Sequence, residues 1–134
     1  MRTRFWWLTP ILCILPANLQ AEGTGLYQSH FPPEEFKARW ERVFDKIGDD
    51  AIAIVQGAAQ VNGYIPFRQT NEFYYLCGIE TPHSYVLLDG RNRKVTLFLP
   101  PRNERLERAE GKVLSANDAE LVKELTGVDV VIST

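Results

Sequence analysis

The chain has 134 residues, of which 45% are hydrophobic, 11% aromatic and 24% charged. Those fractions exclude collagen, coiled coil and wholesale disorder, and the length suits one globular domain. With 15 basic and 17 acidic residues the net charge is −2, so no basic excess invites nucleic acid or an anionic membrane surface.

Met1-Arg2-Thr3-Arg4 is basic, Phe5 to Pro16 (FWWLTPILCILP) carries no charge, and Ala17 to Ala21 ends in a small residue. A basic start, a short apolar segment and a small residue at the cut form a secretory signal peptide. Residues 1–21 are therefore expected to be removed and the protein exported, periplasmic or secreted. The apolar segment is shorter than the ~20 residues of a spanning helix and holds Pro10 and Pro16, so no stable membrane anchor is expected. Loss of Arg2 and Arg4 widens the acidic excess from two to four, and loss of Cys13 leaves Cys77 alone. One cysteine makes no internal disulfide; Cys77 reads as a small buried hydrophobe.

Residues 22–30 are polar and glycine-containing and read as a loose leader. From Phe31-Pro32-Pro33 onward a helix is expected: proline and two glutamates suit its first turn. Phe36, Trp40, Val43, Phe44 and Ile47 form its apolar face, with Lys37, Arg39, Glu41 and Arg42 mostly turned to solvent. Ala51 to Val55 is a continuous apolar run, which suggests a strand covered on both faces. Gln56 to Pro66 reads as a loop, and Asn71 to Leu76 is ambiguous between helix and strand. Ser84–Leu88 and Lys94–Leu99 are strands joined by Asp89-Gly90-Arg91-Asn92-Arg93, a hairpin signal. Asn103 to Glu110 forms a short charged helix with a salt-bridged solvent face. Ser115 or Asn117 caps a second one that Gly127 ends, and Val128 to Ile132 is the last strand. Interleaved helices, strands and a hairpin predict an α/β domain with a mixed sheet flanked by helices.

Catalytic constellations are missing from this pattern. His30 and His83 lie 53 positions apart, and no H-E-x-x-H occurs. Asp49-Asp50 reads as a solvated helix end. None of Ser29, Ser84, Ser115 and Ser133 lies in G-x-S-x-G, and Gly23-Thr24-Gly25 follows no strand. The segment Phe67 to Gly78 is unusual in packing four aromatics beside Arg68 and two amides. It suits either a core wedge or a recognition surface.

The segments FRQTNEFYYLCGIETP, YVLLDG, VTLFLPPRN and ERAEG occur in order and resemble the amino-terminal domain of aminopeptidase P. The pattern R-Q-x-x-x-F-Y-Y-L-x-G is met by Arg68, Gln69, Phe73, Tyr74, Tyr75, Leu76 and Gly78. Where family members often carry tryptophan in E-x-W-x-G, this chain has Ala109. The resemblance runs over residues 31–134 and implies a creatinase-like amino-terminal fold with a ribonuclease H-like motif. It also implies an exported Xaa-Pro aminopeptidase whose catalytic, carboxy-terminal creatinase-like domain is absent from this chain. In that family two divalent metal ions, commonly manganese, sit on Asp, His and Glu ligands of the catalytic domain, and no position here corresponds to them. The amino-terminal module supports homo-oligomer contacts and helps to wall the cleft for proline-containing peptides. Arg68, Tyr74 and Tyr75 are, by that analogy, the candidates at the cleft or subunit interface. The alternative is a stand-alone exported binding or assembly module without peptidase activity.

Overall fold

The computed structural model describes residues 26–60 and 66–134. The expected signal peptide therefore lies outside the described residues. Helix α1 (Pro33–Ile47) begins with proline at its first position and Glu34 and Glu35 in its first turn, and Gly48 closes it at φ 71°. It leads into strand β1 (Ile52–Gln56) and helix α2 (Asn71–Cys77), then the hairpin of β2 (Tyr85–Asp89) and β3 (Lys94–Leu99). Helix α3 (Glu104–Glu110), a single 3₁₀ turn (Ala116–Asp118) and helix α4 (Ala119–Thr126) connect β3 to β4 (Val130–Ser133). The sheet order is β1-β2-β3-β4, antiparallel until the last pair, β3 and β4, which is parallel. This is the α/β mixed sheet expected from the sequence. The ambiguous segment resolves as a helix ended by Gly78 in the left-handed region at φ 66°.

The core follows from strand alternation. Val86 and Leu88 of β2, with Val95, Leu97 and Leu99 of β3, point to one face and are buried. Phe36, Trp40 and Phe44 of α1, Phe73 and Leu76 of α2, and Val122 of α4 cover them. Each fully buried side chain of this size contributes about 1.5–3 kcal/mol by leaving water. Trp40 also donates from Nε1 to the Leu76 carbonyl at 2.7 Å, joining α1 to α2. Leu26 and Tyr27, read from the sequence as part of a loose leader, pack against this core instead. The Tyr27 hydroxyl donates to the Cys77 carbonyl at 3.0 Å, so an apolar ring and one polar tip tie the leader down.

Two further expectations are corrected. Arg39 does not turn to solvent; it is 6% exposed. Its guanidinium donates to the Tyr75 carbonyl at 2.7 Å, pairs with Glu35 at 3.0 Å, and lies 4.5 Å over Phe31 and 4.4 Å over Tyr75. Flat, weakly hydrated and rich in donors, guanidinium tolerates that setting where an ammonium would not. Strand β1 is not covered on both faces either. It is an edge strand, and Ile52 and Ile54 remain 58% and 60% exposed. A continuous apolar run cannot reveal whether an element crosses its second face.

The hairpin turn is braced within itself and tied to α1. Asn92 donates to the Asp89 carboxylate from its amide side chain at 2.6 Å, the main reason that Asp89 titrates below the usual carboxylate range. Arg93 pairs with Glu41 and, at 3.4 Å, with Asp45.

Burial pushes the Cys77 thiol up to about 12. Between its ordinary value of 9.0 and about 12, only the unfolded chain sheds this proton, so folding stability falls as pH rises through that window. In a Cys13→Ser background, disulfide reagents should leave the native chain unlabelled at pH 8 and label it on unfolding. The alkaline fall in urea midpoint should be shallower for Cys77→Ala. A native thiol that reacts at the rate of free cysteine would show the burial to be wrong.

Candidate functional site

A cleft of about 1010 Å³ lies where five separate segments converge, among them Leu26 of the leader. Its walls include Gln60, Phe67, the Glu80–His83 turn, and the long stretch from Pro100 to Ser115 that carries α3. Backbone and side-chain hydrogen bonds build this wall from the strand ends outward. Gly57 N–H donates to the Ser84 carbonyl at 2.8 Å, and His83 N–H donates to the Ala58 carbonyl at 2.9 Å. A Cβ on Gly57 would stand 2.9 Å from the Gln69 amide and 3.1 Å from the Ser84 carbonyl, so any larger residue would press on the Gln69 side chain.

Gln69 is the staple of the wall. Its Oε1 accepts from the Ala58 and Thr70 N–H groups, and its Nε2 donates to the Thr81 carbonyl at 3.1 Å. The Thr81 hydroxyl, itself buried, donates to the Leu114 carbonyl at 2.6 Å and carries the connection to the far side of the cleft. His83 sits at φ 56°, a left-handed conformation that side chains other than glycine adopt rarely. Its Nε2 accepts from Gln60 N–H at 3.2 Å, and Gln60 Nε2 donates to Glu110 Oε2 at 2.9 Å, tying the loop to the end of α3.

The opposite wall is electrostatic. Asp118 is partly buried, which by itself raises a carboxyl. Hydrogen bonds from the Ser115 hydroxyl and N–H, with the charges of Arg102 and Lys112, outweigh burial and hold it below the usual range. Arg102 reaches Asp118 at 2.6 Å and Glu107 at 3.5 Å. The longer contact lacks hydrogen-bond geometry, so Glu107 Oε1 is buried with an ion pair but no hydrogen bond among the described residues. Arg108 lies 3.8 Å from Glu104, which makes the salt-bridged face expected for α3.

The three residues singled out from the sequence go to different places. Arg68 is exposed and takes part in no hydrogen bond or ion pair among the described residues. Tyr74 borders a separate hollow of about 260 Å³ with Tyr27, His30 and Glu80. Partial burial, with Glu80 nearby, raises its hydroxyl above the ordinary tyrosine value. Tyr75 lies on Arg39, and its hydroxyl accepts from Arg42 at 3.4 Å. None of the three lines the large cleft. Sequence reasoning missed Gln69 as the residue that organises the wall, although it stands inside the pattern that drew attention to Arg68.

Chemically the cleft offers carboxylates, two cations, one imidazole, four prolines and the ring of Phe67. Among the described residues no group of three His, Cys, Asp or Glu side chains could hold a metal ion. No described helix is long and apolar enough to cross a membrane.

Comparison with known proteins completes the site. The sequence model of the family described as "Aminopeptidase P, N-terminal domain" matches residues 36–134. The chain belongs to that family. It is 35% identical over 92 residues to the "Probable Xaa-Pro aminopeptidase PEPP" of Paracoccidioides brasiliensis (strain Pb03), a match covering 65% of this chain and 19% of that protein. It is 30% identical over 99 residues to the Xaa-Pro aminopeptidase of Haemophilus influenzae, covering 69% of this chain and 23% of that one. The fold resembles that of E. coli aminopeptidase P solved with the inhibitor Pro-Leu. The TM-score is 0.67 at 21% identity, over 78% of this chain and 25% of the other. This aminopeptidase P amino-terminal domain thus spans about a fifth to a quarter of the length of the proteins that it matches.

Removing the staple gives a direct check on the wall. Gln69→Ala leaves the Ala58 N–H without its acceptor and should cost about 1–3 kcal/mol. Amide exchange at Ala58 should quicken and the urea midpoint fall. Gln69→Glu, which keeps an acceptor but cannot donate to Thr81, should lie between wild type and alanine. An unchanged midpoint in both variants would mean that Gln69 does not hold the loop.

Proposed function

We propose that this chain is the non-catalytic amino-terminal domain of an exported Xaa-Pro aminopeptidase, supporting the substrate cleft and homo-oligomer contacts. The observation that carries this reading is the family match over residues 36–134 in a chain equal to about a fifth of an Xaa-Pro aminopeptidase. The catalytic work, removal of the amino-terminal residue before a proline, belongs to a carboxy-terminal creatinase-like domain. Two divalent metal ions, manganese in this proposal, are held there. One solved relative is a zinc-substituted E. coli aminopeptidase P in complex with product, which supports a metal in the partner domain. The residues described here do not fit such an ion.

Within the domain, the wall from His83 to Glu110 is the part suited to face a peptide, because its polar groups are fixed before anything binds. Tyr75 and Arg68, being exposed, are the ones suited to subunit contacts. The pure chain should show no turnover of Xaa-Pro peptides with added manganese; metal-dependent hydrolysis would overturn the reading. Export is tested separately by the mass of the protein recovered from the culture or periplasm. A chain beginning at Glu22 is expected, and an intact Met1 in the cytoplasm would refute export alone.

A further inference from the structure

The two walls of the large cleft meet through one histidine. Ala58 is fixed on both sides by groups whose charge never changes. Its N–H donates to Gln69 Oε1, and its carbonyl accepts from the His83 N–H at 2.9 Å. Gln60 is held differently. Its N–H donates to the His83 imidazole Nε2 at 3.2 Å, and its side-chain Nε2 donates to Glu110 Oε2 at 2.9 Å. That last contact is, among the described residues, the only hydrogen bond from α3 across the cleft. Helix α3 buries none of its own residues. Its other ties lie at the root of the excursion. There the Ala116 N–H donates to the Pro100 carbonyl at 3.0 Å, and the Arg102 N–H donates to Asn117 Oδ1 at 2.8 Å. The contacts across the cleft therefore run from imidazole to Gln60 to Glu110 and so to α3.

We propose that His83 is a pH-sensitive clasp that holds the walls of the cleft together when neutral and releases them when protonated. To accept from Gln60, Nε2 must keep a lone pair, which places the proton of the neutral ring on Nδ1. A proton from solvent and the Gln60 N–H compete for that lone pair. Once protonated, Nε2 can only donate, and it turns a positive hydrogen toward the hydrogen of the amide. The released form binds the proton better, so acidification shifts the population toward it. Histidine is the side chain whose charge ordinarily changes between pH 5 and 8. His83 is exposed, so a proton reaches it without any opening. The turn that carries it stays fixed, because the Ser84 hydroxyl donates to the Thr81 carbonyl at 2.8 Å and the His83 N–H keeps its bond to Ala58. The charged groups that share the described cleft with His83 are Glu80 on its own turn, Glu104, Glu107 and Glu110 on α3, and Arg102 and Lys112 beside α3. Four carboxylates against two cations give a released imidazolium favourable surroundings. The clasp concerns this domain alone and stands whether or not the proposed function holds.

Amide exchange on the 134-residue chain reads the clasp directly, each rate being divided by that of an unstructured amide at the same pH. From pH 7.5 to 5.5, protection at Gln60 should fall about three- to tenfold, the worth of one exposed hydrogen bond, while Ala58 keeps its protection. His83→Asn supplies a residue that tolerates the left-handed φ of 56° and does not titrate, so its Gln60 profile should be flat. His83→Gly should leave Gln60 weakly protected at both pH values. Movement of the walls is read by spin labels on Ala59→Cys and Ala109→Cys in a Cys13→Ser background. Their distance distribution should broaden at pH 5.5 with His83 present and stay the same with His83→Asn. Equal Gln60 protection at the two pH values would overturn the proposal, as would an unchanged distance distribution. A fall that persists in His83→Asn would give the effect to the carboxylates and refute the clasp. An equal fall at Ala58 would refute it too, because the whole wall would then be loosening.

Discussion

Replacing Trp40 with alanine should cost the domain about 3–5 kcal/mol, a large share of the stability of any domain this size. The indole is 4% exposed within the cluster of α1, α2 and the sheet, so its removal leaves a cavity with aromatic walls. It also leaves the Leu76 carbonyl without the 2.7 Å bond from Nε1. Trp40→Phe separates these effects, because it keeps most of the volume and removes the donor. A cost of about 1–2 kcal/mol is expected for phenylalanine. Urea denaturation followed by far-ultraviolet circular dichroism reads both. Equal costs for the two variants would assign the whole effect to the hydrogen bond and contradict the packing argument.

Gly90→Ala should be comparably damaging, by a different route. Gly90 is buried in the hairpin turn, and its N–H donates to the Ala51 carbonyl at 3.1 Å. A Cβ there would overlap the Gly48 carbonyl oxygen outright and stand 2.8 Å from that of Ala51. Both obstacles are backbone, so relief requires parting the turn after α1 from the hairpin. A loss of about 2–4 kcal/mol is expected, with faster amide exchange at Gly90. A midpoint within experimental error of wild type would show that the two turns are not in fixed contact. Gly48→Ala is a useful control. Its Cβ meets nothing within 4 Å, so the strain of an L residue at φ 71° is its only cost.

These two positions mark where the sequence is informative and where it falls silent. The face of α1 was legible because Phe36, Trp40 and Phe44 repeat at helical spacing, and the hairpin because Asp89-Gly90 is a turn dipeptide between alternating strands. Neither rule reports what lies across a face. Arg39 occupies a position that periodicity gives to solvent, yet Phe31 from outside the helix and Tyr75, 36 residues later, close over it. Ile52 and Ile54 look like core and stand open for the complementary reason. The site was less legible than the fold. Arg68 and Gln69 are adjacent polar residues ahead of α2, and only tertiary structure turns the neutral amide inward and the charge outward. The cleft joins segments near positions 26, 60, 67, 82 and 100–115, a juxtaposition for which no local pattern exists.

Spatial strand order in this sheet repeats chain order. No strand has to be threaded between two that have already paired, so the sheet can grow by addition at one edge while the polypeptide is still being made. The β1-β2-β3 portion closes with modest sequence separation, and the slow event is left to the parallel return of β4 after α3 and α4. Assembly in that direction leaves the β4 side as the last edge to be occupied. The nascent chain would thus present a finished three-stranded platform to the segments that emerge after it, ordering its own construction from front to back.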